Sequence, residues 1–367
     1  MNKMTWLAFA VGVGVVTLSG TTVHAAQADL NVTPVQAASQ RDKSESFFDL
    51  VLQPNQTENL AVKLQNTTKK DMVVDAQAAP ASTSNSGIVQ YDNQAKLDPS
   101  LVYNVNKLVQ APDKITIPAG QTVTYTAKLT MPGATLPGMV SGALIFEPET
   151  GEKATTGQGS MGIVNKFQYT VGVLARNENR TWEPDLTFAG VATKNETGTT
   201  NIAINVRNTK STYLNQLAVE ATVTKDGKSY TRKQRDMQMA PNSNFSYLVP
   251  LKDNATAGKY TVKATAYYVK DSAGQYQDGT GQRYRYKKTL TNSVTLSDQQ
   301  AKKLNADIKQ AAGGVPTSII AGISVIVVLV AAVLGMIFLM MNRRKHADSR
   351  MADLEAELAK LKANQHE

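Results

Sequence analysis

The chain has 367 residues, 39 Lys and Arg against 30 Asp and Glu, and a formal net charge of +9 at pH 7. It has no cysteine, and its three histidines are His24, His346 and His366, all near the ends. Disulfides, thiolate chemistry and cysteine-ligated zinc are thereby excluded. For the long stretch between His24 and His346, so are the Ser-His-Asp triad, histidine acid-base work and the usual zinc hydrolase ligand sets.

In chain order, "MNKMTWLAFAVGVGVVTLSGTTVHAAQA" carries one lysine, an apolar run broken by Gly20, Thr21 and Thr22, and then Val23-His24-Ala25. That pattern suits a secretory signal peptide with a small-residue cleavage site. Residues 1–25 are expected to be removed, an uncleaved anchor being the alternative. An exported, cysteine-free chain of this size fits a Gram-positive bacterium better than a eukaryotic secreted domain, where disulfides are common.

The following region has a period of two. "SFFDLVL", "NLAVKLQN", "DMVVDAQ", "QTVTYTAKLTMP", "GMVSGALIFEP" and "NKFQYTVGVLARN" are short β-branched and aromatic runs separated by turn residues. After "ENRTWEPDL" comes a second series: "DLTFAGVA", "TNIAINVRN", "QLAVEATVT", "NFSYLVPL", "GKYTVKATAYYV" and "KKTLTNSVTL". Asp226-Gly227 lies between two such runs and predicts a two-residue hairpin. The expectation is all-β: two immunoglobulin-like antiparallel β-sandwich domains in tandem, over 29–179 and 180–296, each of ordinary one-core size. Tyr260, just inside a late strand, suits the corner tyrosine of such sandwiches, or is an ordinary strand tyrosine.

The period then changes. Ser297 and Gln300 form a capping-box pattern, Leu304 and Ile308 share a face, and Gly313 and Pro316 mark a stop, so 297–317 is expected to be a short helical stalk. "SIIAGISVIVVLVAAVLGMIFLMM", residues 318–341, has no charged residue and is followed by Asn342, Arg343, Arg344 and Lys345. At ~1.5 Å per residue it reaches roughly 36 Å, enough for a single transmembrane helix. The basic cluster places the 342–367 tail in the cytoplasm, giving a type I anchored protein with most of the chain outside the cell. Within the tail, Met351, Leu354, Leu358 and Leu361 form one narrow apolar stripe, of a frayed tail or of a short amphipathic helix that pairs with itself or lies on the inner leaflet.

In "QMAPNSNFSYLVPL", residues 238–251, a serine stands between two asparagines. Pro241, Asn242, Ser243 and Asn244 are turn formers by fixed φ and side-chain-to-backbone hydrogen bonds. Phe245, Tyr247, Val249 and Leu251 then alternate onto one strand face. With no histidine nearby in sequence, Ser243 reads as a turn residue and not as a nucleophile.

Several stretches resemble the WxL-interacting proteins of Gram-positive bacteria. "FFDLVLQPNQTENLAVKLQNTTKKDMVVDAQAAPASTSNSGIVQY" with "LPGMVSGALIF" is similar to their first domain, and "QMAPNSNFSYLVPL" with "AGKYTVKATAYY" and "AKKLNAD" to their second. The resemblance spans nearly the whole chain from about Asp29. It implies a peptidoglycan-binding first domain, a host-binding second domain, and partnership with separate secreted proteins bearing a Trp-x-Leu motif. It also implies that Met239, Ala240, Pro241, Asn242, Ser243, Asn244 and Phe245 are a structural motif opening a strand. The late aromatic strand departs from the resemblance: where a tryptophan is expected, it has "RYRYKK".

Candidate contacts follow from composition. "AAPASTSNSGIVQY" offers Ser82, Thr83, Asn85 and Gly87 with Tyr91 as a stacking face, either for wall polymer or as a simple connection. Residues 29–179 hold 12 Lys and Arg against 14 Asp and Glu, whereas 180–316 hold 20 against 11. Arg232, Lys233 and Arg235 form one basic cluster, and Arg283, Arg285, Lys287 and Lys288, interleaved with Tyr284 and Tyr286, another. These either attract anionic polymers such as teichoic acids or acidic host glycans, or are solvated outward faces of strands. "EPETGEKATTGQGSMG" lacks Gly-Lys-Ser/Thr and is not a phosphate loop.

The reading is a membrane-anchored cell-surface binding protein with no cofactor and no nucleic-acid partner. Its expected partners are peptidoglycan, secreted WxL proteins, and host matrix proteins or anionic glycans. The alternative is a wall-glycan hydrolase using paired carboxylates, which needs no histidine.

Overall fold

A computed structural model describes residues 29–149, 167–196 and 198–312. The expected signal peptide, transmembrane helix and cytoplasmic tail lie outside the described residues. Among those described, no helix is long and apolar enough to cross a membrane.

The first unit runs β1 (Leu30–Pro34), β2 (Phe48–Val51), β3 (Thr57–Asn66), β4 (Met72–Thr83), β5 (Val89–Tyr91), α1 (Val105–Leu108), β6 (Val109–Gln110), β7 (Lys114–Ile117), β8 (Thr122–Thr130), β9 (Met139–Pro148) and β10 (Tyr169–Arg176). One sheet has the order β1-β3-β8-β6, and the other β2-β10-β9-β4-β5 with β7 also on β4. Alternation builds the core between them. In β8, Tyr125, Ala127 and Leu129 point inward while their neighbours are exposed. Tyr125 packs edge-on to Phe146 of β9 at 5.1 Å, and its hydroxyl donates to the Pro112 carbonyl at 2.8 Å. Each fully buried Leu or Phe contributes about 2 kcal/mol by leaving water.

Pairing is antiparallel except at one edge, where β2 runs parallel to β10, Phe48 opposite Val173. The expected antiparallel sheets are found, with this one edge pair as the exception. Hydrophobic alternation does not encode strand direction, and a parallel pair needs a long crossover, here most of the first unit.

The second unit runs β11 (Leu186–Glu196), β12 (Thr199–Asn208), β13 (Leu214–Lys225), β14 (Lys228–Met239), β15 (Ser243–Pro250), β16 (Gly258–Lys270), β17 (Tyr276–Gln277), β18 (Arg283–Leu296) and α2 (Asp298–Ala312). Its sheets have the orders β11-β12-β15 and β14-β13-β16-β18-β17, and a second apolar core lies between them. Asp226 and Gly227 take φ of 47° and 77° between β13 and β14. Left-handed conformation at both positions is what a type I′ hairpin needs. Tyr260 is buried, and its hydroxyl donates to the Thr256 carbonyl at 2.9 Å while accepting from the Thr256 amide, the geometry of a corner tyrosine.

At α2, the Ser297 and Gln300 side chains cap each other's amides as the sequence predicts. The first turns pack back on the second unit. Ala301 is buried in its core, and Asn305 exchanges two hydrogen bonds with the Ala255 backbone.

Each unit carries the same buried knot. Asn66 ends β3 and donates to the Lys70 and Ile117 carbonyls while accepting from the Thr68 amide. Asn208 ends β12 and does the same with Thr212, Ala240 and Lys210. Both side chains are fully buried, so their bonds replace those lost to water.

Candidate functional site

The β4-β5 hairpin projects from the first unit into the second. Thr83, at the end of β4, accepts from the Ala240 amide at 3.1 Å and lies 2.6 Å from the Ser243 hydroxyl. Asn85 accepts from the Ser246 amide and donates to Glu196. Gly87 has φ of 69°, and a Cβ there would come within 2.5 Å of the Met237 side chain, so only glycine fits. Ser82 braces the hairpin by donating to the Gln90 carbonyl. The five residues read from sequence as one wall-polymer loop are therefore split. Thr83, Asn85 and Gly87 direct their bonding capacity at the second unit, Ser82 is buried within the hairpin, and Tyr91 faces a groove.

The Met239-to-Phe245 motif is the other half of this contact. β14 ends at Met239, whose side chain is fully buried, and the chain reverses through Ala240, Pro241 and Asn242, the last with φ of 50°. Ser243 opens β15, is only 3% exposed, and donates to the Ala240 carbonyl at 2.8 Å. Asn242 donates to Ser100 and to the Thr209 carbonyl. Asn244 donates to Asp98, and Phe245 enters the second core. The Ser243 hydroxyl is engaged by Thr83 and the Ala240 carbonyl, and the described residues include no histidine to serve it as a base.

Asp98 is the charged centre of the contact. Its carboxylate has no exposed surface and takes a bidentate pair from Arg207 at 2.6 and 2.7 Å. Burial opposes its charge, but Arg207 and the Ser100 amide and hydroxyl outweigh burial and hold the carboxyl down at about 2. Farther along, the Met139 amide donates to the Ser211 carbonyl and Ser141 shares a hydrogen bond with Tyr213. Sequence reasoning missed this interface, because its members are single polar residues scattered across loops and strand ends.

The basic residues of the second unit are largely engaged with neighbours. On β14, Arg232 lies 4.6 Å from the Tyr247 ring and donates to the Leu248 carbonyl, Lys233 is 3.7 Å from Glu220, and Arg235 donates to Asp278 at 2.8 Å. On β18, Arg283 donates to the Gly274 carbonyl, Arg285 pairs with Asp271 at 3.2 Å, and Lys288 with Asp185 at 3.2 Å. Tyr284 is fully buried, and its hydroxyl reaches the same Asp278 as Arg235. Tyr286 stacks on Tyr268 at 5.2 Å and donates to Glu183. Lys287 sits 5.8 Å from the Tyr276 ring. Among the described residues, Arg232, Arg283 and Lys287 lack a carboxylate partner. The segment after β17 thus joins the two clusters by bringing Asp278 between them. Burial opposes ionisation of Asp278 too, yet Thr280, the Gln282 amide and Arg235 hold it at about 2.

The outward face of the larger first-unit sheet carries a groove of about 630 Å³ that the second unit walls on one side. Thr170, Gly172 and Leu174 of β10 form its floor, alternating with Val171, Val173 and Ala175 in the core. Phe47, Tyr91 and Tyr213 supply rings. Burial, and then the neighbouring Tyr91 hydroxyl, push the Tyr213 phenol above its ordinary range, so it stays neutral. A second hollow of about 390 Å³ adjoins through Tyr91 and is lined by glutamine and asparagine amides. Among the described residues, no three acidic or histidine side chains gather as a metal site.

Residues 30–148 match the family described as WxL Interacting Protein, peptidoglycan binding domain. Residues 158–306 match that described as WxL Interacting Protein, host binding domain. No curated protein matches the chain. Similar solved structures include the class 5 fimbriae chaperone CfaA, 12% identical over 72% of this chain and 100% of that one, with a TM-score of 0.28. Others are the Pseudomonas aeruginosa CupB2 chaperone (12%, 67% and 97%, TM-score 0.26) and the E. coli chaperone DraB (10%, 68% and 95%, TM-score 0.25). At such values the likeness bears on neither function nor ligand. With both domains matched, in order, over most of its length, this protein belongs to the WxL-interacting protein family.

Proposed function

We propose that the chain is a binding protein of the Gram-positive cell surface. It is held to the membrane by residues 318–341, attaches to peptidoglycan through its first domain, and scaffolds secreted Trp-x-Leu proteins. Its second domain is available to host matrix proteins or anionic glycans. The observation that carries this reading is the paired family match, peptidoglycan-binding domain first and host-binding domain second. The fold is read as two immunoglobulin-like sandwiches.

The geometry supports binding over turnover. Ser243 is sealed in the contact between the units, and the Asp98 carboxylate is closed off by Arg207. A polar contact of this kind holds the two domains in one orientation, which suits a spacer between wall and partner. The basic clusters are read as strand faces tied down by local acids, leaving Arg232, Arg283 and Lys287 as the residues for anionic glycans.

The test uses the full chain in detergent. It is sedimented with purified peptidoglycan and, separately, mixed with a purified Trp-x-Leu protein from the same organism on a sizing column. Co-sedimentation and co-elution are expected. Failure to sediment with peptidoglycan removes the wall-binding role, and failure to co-elute removes the scaffold role.

A further inference from the structure

Among the described residues, the groove on the outward face of β10 lies at the edge of the interdomain contact and away from the basic clusters. Outward positions of a solvated sheet are ordinarily polar and long. Here the floor has a glycine at its centre, and half-buried rings, Phe47 and Tyr91, rise beside it. A Cβ at Gly172 would lie 3.4 Å from Phe47 Cβ and 3.7 Å from the Tyr91 hydroxyl, so any larger side chain fills the hollow between them. Gly172 is therefore what keeps the groove open.

The lining also selects by charge. The main groove has no charged side chain. In the adjoining hollow the sole charged group is Asp92, whose carboxylate is already turned to the Gln94 amide. Around it, the side chains of Gln90, Gln94 and Gln168 make no hydrogen bond to other described residues, so each offers a free donor and a free acceptor. Taken singly, the groove of about 630 Å³ and the hollow of about 390 Å³ each fall in the range of small-ligand clefts, about 300–1,000 Å³.

We propose that this groove binds an uncharged, N-acetylated glycan strand, with Phe47 and Tyr91 under the sugar faces and Gln90, Gln94 and Gln168 on the acetamido and hydroxyl groups. The chemistry follows from the lining. A pyranose ring presents one face of C–H bonds, which packs on an aromatic ring, and a rim of hydroxyls, which exchange hydrogen bonds with carboxamides. A stem peptide, with its free carboxylates and amines, would leave its charges unpaired here, at a cost of desolvation. The second domain contributes Tyr213 and Gln238 to the wall, so the groove is complete only when the domains are docked. This inference rests on the wall-binding reading and locates it.

The test titrates the full chain in detergent with two uncharged N-acetylated glycans, chitotetraose and chitohexaose, and with the free stem peptide. Sedimentation with intact peptidoglycan is run alongside. Variants are Tyr91→Ala, which removes a ring, Gly172→Ile, which fills the floor with a good strand former, and Gln94→Ala with Gln168→Ala, which alter exposed amides only. The expected result is binding of both glycans and not of the peptide, weakened at least tenfold in each variant, with the unfolding temperature of the amide variant unchanged. If wild type sediments with peptidoglycan and the Gly172→Ile and amide variants sediment equally, the groove is not the site, although wall binding stands. Binding of the stem peptide alone overturns the glycan assignment. If wild type binds none of these, the wall-binding reading and the groove fall together.

Discussion

Thr83 and Ser243 stand 160 positions apart and share a 2.6 Å hydrogen bond between the two domains. Ser243 directs its one proton to the Ala240 carbonyl, so Thr83 must donate to Ser243 while accepting from the Ala240 amide. The three bonds close a ring that begins and ends on one backbone residue. Losing the Thr83 hydroxyl leaves the buried Ala240 amide without its acceptor, whereas the Ala240 carbonyl also accepts from Asn208.

Thr83→Val keeps the shape of the side chain and removes the hydroxyl. It strands the Ala240 amide and removes the donor to the Ser243 oxygen, and should cost about 1–3 kcal/mol. Chemical denaturation of wild type and variant measures this. Ser243→Ala should also lower stability while leaving sedimentation with peptidoglycan unchanged, and a loss of wall binding at full folding would revive a direct role for Ser243.

Acid should loosen the domain contact. Asp98 is held below its ordinary 3.8, at about 2. A carboxyl depressed in the folded state stabilises fully above its unfolded value and loses that contribution as pH falls through the folded one. The contact should therefore be intact at pH 5 and weaken between about pH 4 and 2, by about 1–2 kcal/mol after solvent screening at the part-exposed Arg207. Asp98→Asn should reproduce the weakened state at neutral pH and reduce the acid dependence of the unfolding temperature over that window, Asp278 and the other depressed carboxyls, Asp42, Glu196, Asp253 and Asp271, contributing what remains.

Two glycines set the approach of the domains. A Cβ at Gly138 would lie 2.2 Å from the Ser211 carbonyl oxygen, and one at Gly87 within 2.5 Å of Met237. Gly138→Ala meets rigid backbone and should push the domains apart, seen as a larger radius of gyration by small-angle scattering and faster proteolysis between β10 and β11. An unchanged radius would mean that the loops absorb the methyl group.

Asn66 and Asn208 test whether the two buried knots are equivalent. Asn66→Ala or Asn208→Ala removes three hydrogen bonds of a buried side chain and leaves the Thr68 or Lys210 amide without its acceptor, so each should cost about 3 kcal/mol. Asn208 also holds the Ala240 carbonyl, so its loss should disturb the domain contact as well. Hydrogen exchange at the Ala240 amide should rise in Asn208→Ala and not in Asn66→Ala.

Much of this architecture was legible in the residues. Alternation marked β8, β15 and β16, Asp226-Gly227 marked the hairpin, and Ser297 with Gln300 marked the start of α2, because each is a local pattern with a local cause. Short strands such as β6 and β17 carry too few residues to alternate, and β1 has only Leu30 fully buried, so nothing marked them. The candidate site was half legible. Tyr91 was singled out, but Phe47, Gly172 and Tyr213 were not, since a groove on a sheet face depends on which strands lie side by side.

By itself, then, the sequence determined the all-β character, the exclusion of cysteine chemistry and, between His24 and His346, of histidine chemistry, which follow from residue type and short-range spacing, while its motifs carried a resemblance to the family that the domain matches show. Tertiary structure alone decided that β2 runs parallel to β10, that Thr83 meets Ser243, that Asp278 lies between the basic strands, and that Gly172 opens a groove. Those facts depend on contacts between residues far apart in the chain, whose proximity is fixed by the packing of two cores and their shared interface and not by any local pattern.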